Sequence, residues 1–133
     1  RGYERVFDEL IEPVVTEYDP GLVVYSAGQD PGPSDPLGRN LVTREGFRAL
    51  GERAESLAAE AADGRFAVVQ EGGYQVSHLA FATLGVLEGA VGEAIEVAEY
   101  GTGDPFAWLA ETPGTVDPAV EAARDHHSQY WSL

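Results

Sequence analysis

Two short, uninterrupted β-prone runs constrain this chain most: Leu22–Ser26 (Leu-Val-Val-Tyr-Ser) and Phe66–Gln70 (Phe-Ala-Val-Val-Gln). Neither alternates apolar with polar residues, so each reads as a strand buried on both faces. Between them Phe47, Leu50, Ala54, Leu57, Ala58 and Ala61 recur at helical spacing and mark one apolar helix face. Strands joined through a helix pair in parallel with right-handed crossovers, which makes the fold class α/β, part of a doubly wound parallel sheet. Two strands do not make a self-sufficient sheet. Further strands are expected from a larger domain or from another chain.

The flanking segments follow the same logic. Val6, Phe7, Leu10, Ile11, Val14, Val15 and Tyr18 predict an opening helix, which Pro13 is expected to kink or cut short. Asp19-Pro20-Gly21 is turn punctuation, and Gly28, Pro31, Gly32, Pro33, Pro36 and Gly38 make residues 27–40 a loop. Thr43 is expected to cap the long helix with its hydroxyl, Glu45 lies in the favourable first turn, and Asp63-Gly64 supplies a left-handed stop. Val76, Leu79, Ala80, Leu84, Leu87 and Val91 predict another helix to about Gly92. Glu93, Glu96 and Glu99 read as a solvated acidic stripe at helical spacing. Beyond Glu99 the chain turns Gly- and Pro-rich around the cluster Phe106–Leu109, and Asp117-Pro118 opens a last helix to about Tyr130. The expected order is α-β-α-β-α plus a C-terminal helix. Residues 1–99 form the body, and residues 100–133 a loop and helix packed on it through Trp108, Tyr130 and Trp131.

Composition narrows the function classes. Eight basic residues against 23 acidic ones give a formal net charge of -15, the wrong sign for holding nucleic acid. With 44% hydrophobic residues the chain can build a core. No apolar run is long enough for a membrane span and no signal peptide opens the chain, so a cytoplasmic location is expected. Cysteine is absent, which removes disulfides and thiolate chemistry. Methionine is absent too, even at position 1, so the chain is expected to start inside a longer gene product or to have been processed. All eight basic residues are Arg. An acidic, Lys-free surface is the pattern of a salt-loving prokaryote, with a GC-biased genome as the alternative.

Ligands of open parallel sheets bind beyond the carboxyl ends of the strands. Asp30 follows the first strand and Tyr74 the second, so both loops fall on one edge and an acid and a phenol face one crevice. Taken alone, Asp30 reads first as a turn residue and Tyr74 as a half-buried tyrosine. Asp35, before Pro36, is a turn or cap residue. His78 lies near the start of a helix, either packed or on the crevice rim. His126 and His127 point to different helix faces as a solvated pair. A Glu71-Gly72-Gly73 phosphate cradle is a weaker reading, since both known glycine spacings are missing and Tyr74 would crowd a phosphate.

Order and spacing then become specific. Tyr25-Ser26-Ala27-Gly28-Gln29-Asp30, Asp35-Pro36-Leu37-Gly38, Leu41-Val42-Thr43 with Glu45-Gly46-Phe47, and Val68-Val69-Gln70-Glu71-Gly72-Gly73-Tyr74 resemble the histone deacetylase and acetylpolyamine amidohydrolase superfamily, over about Val14 to Val91. The resemblance implies the C-terminal portion of an arginase-like α/β domain and a zinc-dependent amidohydrolase acting on acetyl-lysine, an acetylpolyamine or a similar acyl amide. It implies that Asp30 ligates zinc, that Tyr74 hydrogen-bonds the substrate carbonyl as it becomes an oxyanion, and that Leu37, with Gly72 and Gly73, lines the substrate tunnel. Carboxylate oxygen suits a catalytic Zn²⁺ with three protein ligands, which activates water. A preorganised donor at the oxyanion is worth roughly 3–4 kcal/mol. The family's Asp-x-His ligands and His-His base pair are absent here, and His126-His127 is no substitute. Gln29 also replaces a common Phe. Hence residues 1–133 alone are expected to be inactive and to bind zinc weakly, needing an N-terminal portion or partner chain. The alternative is a non-catalytic subunit that completes a partner's sheet.

The acidic surface generates the first prediction. Unfolding free energy should rise from low to molar salt; equal stability at both removes the halophile reading.

Overall fold

The computed structural model describes residues 2–97 and 117–133. Its elements run α1 (Gly2–Val6), a π-helical turn (Phe7–Ile11), α2 (Glu12–Tyr18), β1 (Val23–Ala27), α3 (Arg44–Ala61), β2 (Phe66–Gln70), α4 (Val76–Val91) and α5 (Asp117–His127). Pro13 neither ends nor cuts short the opening helix. The chain widens instead: the Glu12 N–H donates to Phe7, one residue further back than in an α-helix. That extra room accommodates a ring which in a regular α-helix would press on the Glu9 carbonyl. The helix then continues to Tyr18 and stops at Asp19, left-handed with φ 54°.

The strands pair in parallel, from Val23 opposite Phe66 to Ala27 opposite Gln70. Burial on both faces is not what this chain achieves. Val23, Tyr25 and Ala27 face the helices, whereas Val24 stays 54% exposed and Val69 43%. Among the described residues the sheet has two strands, and no helix covers its second side. The apolar strand composition thus exceeds what the chain itself buries. A groove of about 330 Å³ also runs along the free edge of β1, lined by Phe7, Ile11, Val15, Val24, Tyr25 and Leu57.

The covered side holds two adjoining clusters. Phe7, Ala54, Leu57 and Ala61 gather under Val15, Tyr25 and Phe66; Ala27, Phe47, Ala82 and Val86 gather under Val42 and Val68. Phe47, at 2% exposure, alone contributes roughly 1.5–3 kcal/mol by burial. Glycines bring α3 and α4 into close contact. A Cβ on Gly51 would lie 2.5 Å from the Val86 carbonyl oxygen, and one on Gly89 2.2 Å from that of Arg48.

Helix ends show which sequence signals carried. Thr43 occupies the N-cap of α3, but its side chain makes no capping bond. Its carbonyl accepts from the Phe47 N–H at 3.0 Å instead. Asp63 and Gly64 are both left-handed, as expected of the stop, and the Gly64 N–H returns to Ala58 at 2.9 Å. Gln75, which the sequence did not single out, caps α4 by accepting from the His78 N–H. Gly92 is left-handed and ends α4, so Glu93 and Glu96 lie on exposed non-helical chain rather than on a helical stripe. Glu99, Phe106 and Trp108 lie outside the described residues.

Helix α5 is shorter than expected, ending at His127. It meets the opening helix through buried Val120 and through Arg5–Asp117 and Arg124–Glu9 pairs, and the Ser132 N–H donates to Glu17 at 2.8 Å. Trp131 is partly buried, but Tyr130 is 69% exposed and does not anchor the tail. The exposed rings of His126 and His127 meet edge-on at 5.1 Å. No described helix is long and apolar enough to cross a membrane.

One buried charge locks α3 to α4. Glu88, 1% exposed, accepts from Arg44 Nε at 3.1 Å and Nη2 at 2.5 Å, and from the Ile95 N–H at 2.6 Å. The Arg44 guanidinium, more than offsetting burial, holds this carboxyl below its ordinary value. Glu88→Gln is therefore expected to lower the unfolding free energy at neutral pH by about 3 kcal/mol. Because the folded value is depressed, the native advantage disappears as pH falls through it. Urea unfolding at neutral and acidic pH checks both parts.

Candidate active site

Parallel pairing decides where the site forms. Ala27 lies beside Gln70 at the carboxyl ends of β1 and β2, so residues 28–43 and 71–75 leave the same edge. The ladder continues into these loops: Glu71 N–H donates to Ala27 at 3.1 Å and Gln29 N–H to Gly72 at 2.9 Å. Gln29 is only 2% exposed, and its amide oxygen accepts from Gln70 Nε2 at 3.3 Å. Gln29 is thus a buried polar tie beneath both loops.

These ties seat the Asp30 carboxylate against the backbone of Gly72. A Cβ at Gly72 would lie 2.1 Å from Asp30 Oδ2 and 2.6 Å from Oδ1. Only glycine leaves that space open. Gly73 follows at φ 122°, a conformation side-chain-bearing residues avoid, and a Cβ there would strike Gln29 at 2.8 Å. The first loop also folds back on Asp30, since a Cβ at Gly38 would sit 1.6 Å from its carbonyl oxygen. Tyr74 comes next in the chain, 56% exposed, and Leu37 stands on the other loop at 70% exposure.

Asp35 joins the two loops. Its Oδ1 accepts from the N–H of Leu37 at 2.8 Å and of Gly38 at 3.0 Å, as a turn-capping aspartate does. Its Oδ2 accepts from the Tyr74 N–H at 2.7 Å, across to the other loop. One oxygen thus caps the turn that the Asp-Pro pair predicts, and the other reaches beyond it. An Asp-Pro pair announces a turn; it does not announce a contact 39 residues away.

His78 does not stand on a rim. It is 1% exposed, tilted against Phe47, with Nε2 3.3 Å from the Val42 carbonyl. Gly32 makes room for it, since a Cβ there would lie 2.6 Å from the imidazole Cδ2. Among the described residues no three of His, Cys, Asp and Glu gather closely enough to hold a metal ion. A catalytic zinc takes three protein ligands, so the residues present do not by themselves fit one.

Comparison with known proteins bears on this arrangement. The profile of the histone deacetylase domain matches residues 1–90. The chain belongs to the histone deacetylase family. It is 35% identical over 130 residues to Histone deacetylase 8 of Arabidopsis thaliana, covering 98% of this chain and 33% of that protein. It is also 35% identical to a probable deacetylase of Archaeoglobus fulgidus, covering 98% of this chain and 38% of the relative. The chain therefore spans between about a third and two fifths of the length of these relatives. The crystal structure of the HDA15 HD domain superposes with a TM-score of 0.74 at 23% identity, over 98% of this chain and 33% of that one. That likeness establishes the fold, the arginase-like α/β arrangement of deacetylase domains.

The Gly72–Asp30 contact gives the next prediction. Gly72→Ala should displace the Asp30 carboxylate and cost about 1–3 kcal/mol as an overpacking change. Chemical denaturation, with amide shifts of residues 28–38, measures it; wild-type stability with unmoved shifts shows that the contact is not tight.

Proposed function

We propose that this chain furnishes the C-terminal part of the active site of a zinc-dependent amidohydrolase that cleaves acetyl-lysine, an acetylpolyamine or a similar acylated amine. The observation that carries this reading is the packing of the Asp30 carboxylate against Gly72, two residues before Tyr74. An anionic oxygen donor and a phenol thereby belong to one loop pair at one sheet edge. Asp30 would be one zinc ligand, and the remaining ligands and the bases would come from the length of the relatives that this chain does not span. Zinc, when bound, supplies Lewis acidity and an activated water. Tyr74 donates its hydroxyl proton in a hydrogen bond to the amide oxygen, strengthening as negative charge develops there. Leu37, exposed beside Asp35, lines the path of the acyl-bearing chain, and Gly72 and Gly73 bring Tyr74 to its mouth.

The uncovered strand face with Val24 and Val69, and the apolar groove on the free edge of β1, support an upstream portion or partner chain that completes the sheet. The same surfaces favour the second reading, a non-catalytic subunit for a partner. Phosphate binding at Glu71-Gly72-Gly73 is disfavoured, because the Asp30 carboxylate already lies against that backbone.

The test joins or mixes the chain with the segment upstream of Arg1 and follows zinc uptake and release of acetate from acetyl-lysine peptide and acetylspermidine. The chain alone is expected to bind zinc weakly and release none. The completed protein should hydrolyse one or both substrates, and Tyr74→Phe should lower kcat about 100- to 1000-fold. Association without hydrolysis favours the subunit reading. Tight stoichiometric zinc binding by the chain alone, or full activity in Tyr74→Phe, contradicts the proposal.

A further inference from the structure

We propose that Asp35 is a positioning residue for Tyr74, its carboxylate holding the tyrosine loop at a set placement relative to the turn that bears Leu37. This rests on the reading of Tyr74 as the oxyanion donor. The geometry is a three-point clamp. One oxygen takes the Leu37 and Gly38 N–H groups, and the other takes the Tyr74 N–H at 2.7 Å. Asp35 is 7% exposed, whereas Tyr74 and Leu37, the side chains it spaces apart, are 56% and 70% exposed. Packing does little to fix those two, so the backbone must.

The need for such a clamp lies just upstream. Gly72 and Gly73 lack side chains because Asp30, Gln29 and Leu79 fill the space a Cβ would take. Two consecutive glycines also leave the backbone pliant. The bond to Asp35 falls on the first residue after them, where it removes that pliancy from the phenol. Burial pushes the Asp35 carboxyl up, but N–H groups of Tyr74, Gly38, Leu37 and Gln75 together outweigh it and hold it below the ordinary carboxylate range. It therefore remains an anion at neutral pH, and bonds to a charged acceptor are the stronger kind.

Asp35→Asn is the discriminating change, because it keeps size and removes one acceptor. If the amide oxygen keeps Leu37 and Gly38, the NH₂ faces the Tyr74 N–H, donor against donor. A flipped amide loses the turn instead. Either way the clamp opens on one side.

Two measurements test it. In this chain, Asp35→Asn should speed hydrogen exchange of the Tyr74 amide or of the Leu37 and Gly38 amides roughly 10- to 100-fold, the loss of one charge-assisted bond. Exchange in β1 and β2 should stay unchanged. In the protein completed by its upstream segment, Asp35→Asn should lower kcat about 10- to 100-fold through misplacement. KM should stay within about threefold, and Asp35→Asn should add nothing to Tyr74→Phe.

Unchanged exchange at all three amides overturns the proposal. So does a double variant whose loss is the product of the single losses. A loss in Tyr74→Phe with none in Asp35→Asn overturns the clamp alone, while full activity in Tyr74→Phe overturns the reading of Tyr74 and the clamp with it. Should Asp35→Asn fail to fold, Asp35→Glu, which keeps the charge but moves the oxygens, carries the same readouts and the same expected directions.

Discussion

Parallel pairing of β1 with β2 is the constraint on which the rest depends. It makes two loops, separated in sequence by an 18-residue helix, leave the sheet side by side. An antiparallel pair would send them to opposite ends, and Asp30 would never meet Gly72. Hydrogen bonds from Gln29 to Gly72 and from Glu71 to Ala27 carry the pairing past the strands. The candidate site is thus an extension of the sheet, held by the same kind of bond.

The chain meets this constraint with glycine at several contacts. Between α3 and α4, Gly51 and Gly89 let backbones touch. At the sheet edge, Gly72 leaves the Asp30 carboxylate its place and Gly32 leaves His78 its place. In each case the missing methyl group is occupied by another part of the molecule. Close approach, more than turn flexibility, explains these glycines.

Much of this was legible in the sequence. Both strands, the α3 and α4 segments and the shared loop edge follow from short apolar runs, helical spacing and the rule for parallel sheets. Asp63-Gly64 announced its stop because left-handed backbone needs such residues. What was not legible depended on partners far along the chain. Glu88 looks like any surface glutamate until Arg44 and Ile95 surround it. Asp35 reads as a turn residue until Tyr74 uses its second oxygen. For His78 the sequence leaves a packed and a rim position open, because nothing in its neighbourhood shows that Gly32 and Phe47 close over it. Pro13 predicts a kink or an early end, but the helix runs on to Tyr18, with one hydrogen bond just before the proline spanning an extra residue. The strands read as doubly buried because their composition is suited to a larger sheet than these residues build.

The crowding at Gly72 and the backbone angle at Gly73 have an evolutionary corollary. Every amino-acid-changing single-base substitution in a glycine codon specifies a residue with a Cβ, or a stop. At position 72 any such step drives an atom into a carboxylate, and at position 73 it also demands an unfavourable φ. No single-base, amino-acid-changing step at this dipeptide avoids placing a Cβ where the fold already has an atom.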